Sequence, residues 1–155
     1  MHTHLSTRLQ YQHKSLISMI DGSTDELIRQ KVFPGKWSVF ENIVHLQTYQ
    51  HVFIERVKKM VDEDSPVFSR YEADTDPIFL ENCKKSTREI MGDMITTRKE
   101  MSTGRFAIKD EHLERIGIHP VFGTLTIAQW LNFFLLHEAH HLFAIFKLGA
   151  ELKKG

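Results

Sequence analysis

The segment TIAQWLNFFLLHEAHHLFAIFKL, residues 126–148, decides the fold class of this chain. Thr126 and Gln129 form the T-x-x-Q pattern of a capping box, which predicts that a helix begins near Thr126. Apolar residues then lie on most faces of this helix until Gly149, where we expect it to end. A helix that is apolar nearly all round is either central in a bundle or also part of a subunit interface.

This apolar helix contains three histidines and a glutamate, at His137, Glu138, His140 and His141. Burying such groups without partners costs free energy, so their presence indicates a site. His137 and His141 are four residues apart and share one helix face, where both can bind one metal ion. His140 is rotated by about 100° from His141. We expect it to support a ligand or an interface, with a structural role favoured.

Residues 137–141 also read H-E-x-x-H, the pattern of zinc metalloproteases. A catalytic zinc site needs a third protein ligand besides an open position. One downstream arrangement requires Gly and His where this chain has Ala144 and Lys147. The other requires a Glu on a later helix, but only 14 residues follow His141 and their one carboxylate is Glu151. We therefore reject the protease interpretation and place the third ligand upstream.

A second predicted helix supplies that ligand. Ser38 and Glu41 form an S-x-x-E capping box, and apolar residues recur at helical spacing until DEDSP, residues 62–66. His45 lies at the edge of the apolar face of this helix, four residues after Glu41. One histidine from this helix and two from the last would surround one metal ion. The predicted triad is His45, His137 and His141.

Two further helical stretches, residues 3–20 and 77–101, complete the predicted fold. The connection over residues 102–125 is long for a compact bundle, and long crossovers fit a bundle whose helices are not all joined by tight hairpins. Only residues 105–109, RFAIK, offer a candidate strand. We therefore predict an all-α four-helix bundle with long crossover connections, in a single domain over residues 1–155.

Composition excludes several classes of function. Lys plus Arg and Asp plus Glu both total 20, so no basic surplus indicates nucleic-acid binding. No apolar run reaches the ~18 residues that span a bilayer, and the N-terminus lacks the apolar core of a signal peptide. The single cysteine, Cys83, excludes an intrachain disulfide and a cysteine-rich zinc site. We expect a cytoplasmic protein without nucleic-acid or membrane partners.

Two segments resemble the DinB-like superfamily of small metal-binding four-helix bundles. They are GKWSVFENIVHL, residues 35–46, and HPVFGTLTIAQWLNFFLLHEAHHLFAI, residues 119–145. The first contains a Trp-Ser helix start leading to His-Leu, and the second contains an HP-x-F-G approach, a Trp and a late H-x-x-x-H. The resemblance implies one divalent ion, zinc, nickel or iron, bound by His45, His137 and His141, in agreement with the triad predicted above.

Characterised enzymes of that family include S-transferases and isomerases that use low-molecular-weight thiols. The resemblance therefore implies a metal-dependent enzyme whose nucleophile is a metal-activated thiolate or water, although no catalytic residue is assigned. The alternatives are a non-catalytic metal-binding stress or interaction protein and a metal-dependent hydrolase. A ferritin-like two-metal site is disfavoured because Asn42, and not a glutamate, precedes His45 by three residues. The resemblance also implies a small-molecule substrate. We expect a homodimer because the last helix is so apolar.

The remaining polar and aromatic residues receive structural expectations. We expect Glu138 to accept a hydrogen bond from a ligand histidine or to join a buried ion pair, rather than to act as a base. His119 is expected to anchor its loop, and Tyr49 and Gln129 are candidates for lining the site. We expect the other aromatic, cysteine and histidine side chains to be core (Trp37, Trp130), structural (Cys83), or exposed or locally hydrogen-bonded (His2, His4, His13, His51, His112).

Overall fold

Helices account for most of the computed structural model, which describes residues 3–154. The helices are α1 (Thr3–Tyr11), α2 (Ser15–Ile20), α3 (Asp25–Arg29), α4 (Val39–Asp62), α5 (Pro77–Asn82), α6 (Thr87–Ser102) and α7 (Ile127–Leu152), and the strands are β1 (Ile116–His119) and β2 (Gly123–Thr126). Helix α4 packs against α6 and α7, α1 packs against the same two helices, and α2 packs against α7. The predicted all-α bundle is confirmed.

Capping boxes begin the two longest helices where the sequence predicts them. The Ser38 hydroxyl accepts a hydrogen bond from the Glu41 backbone N–H, and the Glu41 carboxylate accepts one from the Ser38 N–H. Thr126 and Gln129 make the same reciprocal pair at the start of α7. These contacts satisfy N–H groups that have no partner within a helix.

The prediction of one continuous helix over residues 77–101 is wrong, because two helices, α5 and α6, occupy this stretch. The Asp76 carboxylate caps α5, and a further capping box between Ser86 and Glu89 starts α6. At the end of α5, the buried Asn82 amide donates to the Gln47 and Thr48 side chains of α4. That anchor holds α5 against α4 and lets the chain turn before α6. The first predicted helix is likewise interrupted, by a 3-10 turn over Gln12–Lys14.

The last helix also ends later than predicted, at Leu152 instead of Gly149. Leu148 on one side of the glycine belongs to the core, and Leu152 on the other side packs against it. Burial of this last turn therefore overrides the weak helix propensity of glycine, which is about 1 kcal/mol below that of alanine.

A short hairpin lies in the connection before α7, where no strand is predicted. Strands β1 and β2 pair antiparallel, with Ile116 opposite Thr126 and His119 opposite Gly123. Gly117 is required here because an added Cβ would lie 2.8 Å from Met60 and Phe68 side-chain atoms. The candidate strand at residues 105–109 is not formed, and two of its side chains, Phe106 and Ile108, pack against the core.

Two clusters of buried side chains form the core, and both are built around α4 and α7. One cluster includes Ile43, Leu142 and Ile145, and the other includes Phe53 and Phe134. The two clusters lie towards opposite ends of these helices. Within residues 3–154, no helix has the length and apolar character that crossing a bilayer requires.

Candidate metal centre

Three imidazoles converge between α4 and α7. His45 comes from α4, and His137 and His141 come from adjacent turns of α7. Their ligand atoms all lie within 4.8 Å of one another, and the Nε2 atoms of His45 and His137 are 3.0 Å apart. Nitrogen ligands about 2.1 Å from one tetrahedral ion lie roughly 3.4 Å apart. The three histidines predicted from the sequence are therefore brought together at a spacing that fits one ion.

A polar residue that the sequence analysis did not assign to the site orients one of these rings. The Nδ1 atom of His141 lies 2.8 Å from Oδ1 of Asn42, and the Asn42 amide donates to the Ser38 carbonyl at 2.8 Å. Since an amide oxygen only accepts, Nδ1 of His141 carries the proton and Nε2 keeps a free lone pair. The sequence could have indicated this role through spacing, because Asn42 precedes His45 by three residues and therefore shares its helix face.

The other two rings are held by packing. Nδ1 of His45 and Nδ1 of His137 are buried and have no hydrogen-bond partner within residues 3–154. Their Nε2 atoms face each other across the centre. Two buried neutral imidazoles in this arrangement can share only one hydrogen bond, whereas a cation between them would use both lone pairs. The donor set therefore fits a divalent metal ion.

Burial keeps these imidazoles neutral. Removal from water lowers the pKa of His45, His137 and His141 to about 3 each. Repulsion between neighbouring rings is part of this lowering, and His140 contributes to it at the two α7 positions. Because metals bind the neutral ring, an incoming ion would displace few protons near neutral pH.

Aromatic rings surround the imidazoles and form one wall of the centre. The Trp37 ring lies 4.9 Å from that of His45, and the Tyr49 ring lies 4.4 Å from that of His137. The Tyr71 ring is 5.9 Å from His45. Hydrogen bonds fix two of these rings, from Trp37 Nε1 to Asp74 and from the Tyr71 hydroxyl to Asp76, both at 2.8 Å. This wall shields the centre from water.

The expectations for four other side chains have different outcomes. Trp37 is half-buried beside the triad and packs against the core cluster without being fully buried, because Asp74 holds its indole N–H at the surface. Trp130 is core, at 1% exposure. Tyr49 lies beside the centre as expected. Gln129 does not line the site, because its side chain caps the first turn of α7, two turns before His137.

Glu138 forms a buried ion pair, as expected. Its carboxylate accepts hydrogen bonds from both terminal nitrogens of Arg98 on α6 and from the Gln12 amide. The side chains of Arg98 and Glu138 are each only 1% exposed. Glu138 therefore belongs to the helix packing, and within residues 3–154 no carboxylate joins the three-histidine group.

His119 anchors its loop, as expected. Its Nδ1 atom accepts hydrogen bonds from the backbone N–H groups of Val121 and Phe122, at 3.1 and 3.2 Å. This contact closes the turn between β1 and β2. The half-buried Cys83 is a free thiol whose pKa burial raises, which agrees with a structural role.

The remaining histidines are not part of the three-histidine group. His4 and His140 are exposed, although the His140 ring meets the His141 ring edge-on with centroids 5.3 Å apart. His51 hydrogen-bonds Asp93 at 2.9 Å, and His112 lies 3.6 Å from Glu111. These placements agree with the expectations for His4, His51 and His112, while His2 lies outside the described residues.

His13 contradicts the expectation of an exposed or locally hydrogen-bonded ring. It is only 5% exposed, and its buried Nδ1 has no partner within residues 3–154. Burial, with the nearby charges of Arg98 and Lys14, lowers its pKa to about 4. The ring is buried because the 3-10 turn between α1 and α2 directs this side chain towards α6 and not towards solvent.

Comparisons with known proteins agree with this fold. The solved structure of YfiT from Bacillus subtilis, titled "a probable metal-dependent hydrolase with an unusual four-helix bundle topology", superposes with a TM-score of 0.80. The match covers 97% of this chain and 86% of that one at 16% identity. The uncharacterized protein YuaE of Bacillus subtilis (strain 168) is 29% identical over 140 residues, covering 79% of this chain and 83% of YuaE. The model of the DinB superfamily matches residues 8–145. The chain therefore belongs to the DinB superfamily.

Proposed function

We propose that the protein is a metal-dependent enzyme in which His45, His137 and His141 bind one divalent ion, within a single domain over residues 1–155. The observation that carries this proposal is the convergence of three neutral imidazoles from two helices beneath an aromatic wall. Imidazole suits zinc, nickel and iron alike. When bound, such an ion would lower the pKa of a thiol or a water molecule placed against it.

The nucleophile that the surroundings favour is a low-molecular-weight thiol, which makes S-transfer the first candidate reaction. A free thiol has a pKa of about 8.5, against about 15.7 for bulk water, so a thiol needs a smaller pKa shift from a bound cation to ionise. The nearest carboxylate in sequence, Glu138, is bound to Arg98 and not available to accept a proton from water. Sulfur also packs favourably against aromatic rings such as Trp37 and Tyr49. Thiols of this kind are kept reduced in the cytoplasm, where we place the protein.

Hydrolysis is the second candidate. It is supported by the structural similarity to YfiT, whose title describes a probable metal-dependent hydrolase. At 16% identity this similarity extends to the fold, so it does not decide between water and a thiol as nucleophile. In both cases the substrate is a small molecule that reaches the centre from solvent.

Metal content and turnover test the proposal together. Elemental analysis of the purified protein should give about one divalent ion per chain, and His45→Ala should lose it, while His51→Ala on the same helix should keep it. Turnover of an electrophile with bacillithiol, glutathione or cysteine, and of a simple ester without thiol, should then be measured with and without chelator. A chelator-sensitive rate that requires thiol supports S-transfer, and one that does not supports hydrolysis. The absence of either rate would favour a non-catalytic metal-binding protein.

We also propose that the protein is a homodimer that pairs through the outer face of α7. Leu136, Phe143 and Phe146 are 55%, 60% and 59% exposed on this helix. Leu136 and Phe143 are seven residues apart, and Phe146 follows three residues later, which is the spacing of a coiled-coil seam. A second copy of α7 would present the same apolar stripe, because a two-fold interface is self-complementary.

A further inference from the structure

Arg56 on α4 is a buried cation without a carboxylate partner among residues 3–154. Arg56 is only 8% exposed. One terminal nitrogen donates to the Tyr49 hydroxyl at 3.4 Å, and the other donates to the Ser69 carbonyl at 2.9 Å. Its guanidinium carbon lies 5.5 and 5.3 Å from the centroids of the Phe68 and Trp130 rings. All four partners are neutral.

The other buried arginine of the described chain, Arg98, has the counter-ion that Arg56 lacks. Arg98 is 1% exposed and is neutralised by Glu138, whereas Arg56 has no counter-ion in the described part of the chain. Its field reaches nearby groups, since burial and then the charge of Arg56 lower the pKa of His119. A buried charge without a counter-ion is costly, and a ligand of opposite charge would offset that cost.

An open groove of about 590 Å³ gives access to Arg56. Two exposed cations, Lys59 and Arg70, stand along it with Arg56. Three carboxylates also line this groove. Glu55 is 2.6 Å from Lys58, Asp76 accepts a hydrogen bond from the Tyr71 hydroxyl, and Glu72 is exposed. Among the charged residues of the described chain that line the groove, Arg56 alone is buried, so the buried charge of the groove is positive.

The groove is adjacent to the metal centre through two tyrosines. Tyr71 lines the groove, and its ring lies 5.9 Å from that of His45. The Tyr49 hydroxyl accepts from Arg56, while the ring of the same residue lies 4.4 Å from that of His137. A single tyrosine side chain therefore separates the guanidinium from the imidazoles.

We propose that this groove binds the carboxylate of the small molecule on which the metal centre acts, with Arg56 as its counter-ion. The proposal rests on the metal-dependent function proposed above and specifies its substrate class as an organic acid. A guanidinium offers five N–H donors in a planar fork that matches a carboxylate, and Arg56 uses only two of them within the described chain. Arg56 is thus a binding residue that positions the reactive end of the substrate near His137.

Cobalt-loaded protein tests this inference directly. Its visible spectrum should be titrated with mercaptoalkanoates of increasing chain length and with the mercaptoalkanols of matching length. We expect the acid to bind at least about tenfold more tightly than the alcohol at one optimal length, as a charge-assisted hydrogen-bonded contact provides. Arg56→Gln should bring this ratio to within about twofold of one without changing the alcohol affinities. Arg105→Gln removes the same charge from an exposed site and should leave the ratio unchanged.

Two results would overturn the inference. One is equal binding of acid and alcohol at every length in the unmodified protein, which requires no variant to fold. The other is a ratio that persists in folded Arg56→Gln protein. If the protein takes up no cobalt, the proposed function fails, and calorimetric titration of metal-free protein with glutarate still tests the groove. Heat that Arg56→Gln abolishes supports a carboxylate site, and no heat refutes it.

Discussion

The amide oxygen of Asn42 accepts a hydrogen bond from Nδ1 of His141 across the interface of α4 and α7, at 2.8 Å. Because the same amide donates to the Ser38 carbonyl, its orientation is fixed from the first turn of α4. The start of one long helix therefore determines which nitrogen of His141 faces the proposed metal centre. This relationship connects the capping of α4 to the chemistry of the site.

Asn42→Ala should weaken metal binding by roughly 10- to 100-fold without removing any ligand, since loss of an orienting partner has effects of that size. Asn42→Asp should retain most of the affinity, because a carboxylate accepts the same Nδ1 proton. Competition with a fluorescent chelator gives the affinities. Asn132→Ala, on the exposed face of α7, is the matched control. Equal affinity in Asn42→Ala and in the unmodified protein would contradict this role.

Metal removal should lower the thermal midpoint of unfolding. An ion present at about 1,000 times its Kd stabilises the folded state by about 4 kcal/mol, which corresponds to roughly 10 °C for a chain of this length. Calorimetry with and without chelator measures the shift. His45→Ala should abolish the difference, and His51→Ala should preserve it. A chelator-induced shift that survives in His45→Ala would place the ion elsewhere.

Glu138→Gln should destabilise the protein by about 3 to 5 kcal/mol, because it leaves the Arg98 charge buried without a counter-ion. Metal stoichiometry should remain unchanged in whatever fraction folds. Urea titration and elemental analysis of the same sample give both quantities. Glu81→Gln, which breaks an exposed pair with Lys84, should leave the midpoint unchanged. A stable Glu138→Gln protein that had lost only turnover would instead identify Glu138 as a base.

The buried ring of His13 should make the metal-free protein sensitive to acid. Its pKa is lowered to about 4, while an unfolded histidine has a pKa near 6.5, so the unfolded chain binds the extra proton. This contribution to stability is complete above pH 6.5 and is lost as the pH falls towards 4. Between pH 7 and pH 5, unmodified protein should lose about 1 to 2 kcal/mol more than His13→Gln.

Urea titrations at the two pH values measure this difference. His112→Gln, which removes a less buried imidazole, should lose as much stability as the unmodified protein. The histidines of the metal centre are present in all three proteins, so their titration cancels from the comparison. Parallel losses in His13→Gln and unmodified protein would show that His13 does not contribute.

Substitution on the outer face of α7 should separate the proposed dimer. Phe143→Glu places a charge in the middle of the exposed stripe, so sedimentation should give the 18.1 kDa of one chain, whereas the unmodified protein should give twice that mass. Leu80→Glu, at an exposed apolar residue of α5, should remain dimeric. A monomeric mass for the unmodified protein at micromolar concentration would refute the dimer.

Much of the fold was predictable because its signals are local. The capping pairs at Ser38 and Thr126 define the starts of α4 and α7 from side chains only three residues apart. The i, i+4 spacing of His137 and His141 follows from helix geometry alone. Errors occurred where local signals conflicted with packing. Gly149 predicted a helix end that burial of Leu148 overrode, and the strands of the hairpin are too short to show a pattern.

By itself, the sequence determined the helical class, the starts of α4 and α7 and the three histidines proposed to bind metal. Only the tertiary structure decided which distant side chains contact each other. It places Asn42 beside His141, pairs Glu138 with Arg98, and leaves Arg56 without a counter-ion in the described chain. The physical reason is the separation along the chain over which each interaction acts. Helix periodicity and capping act over three or four residues, whereas these contacts depend on how α4, α6 and α7 pack across gaps of 40 residues or more.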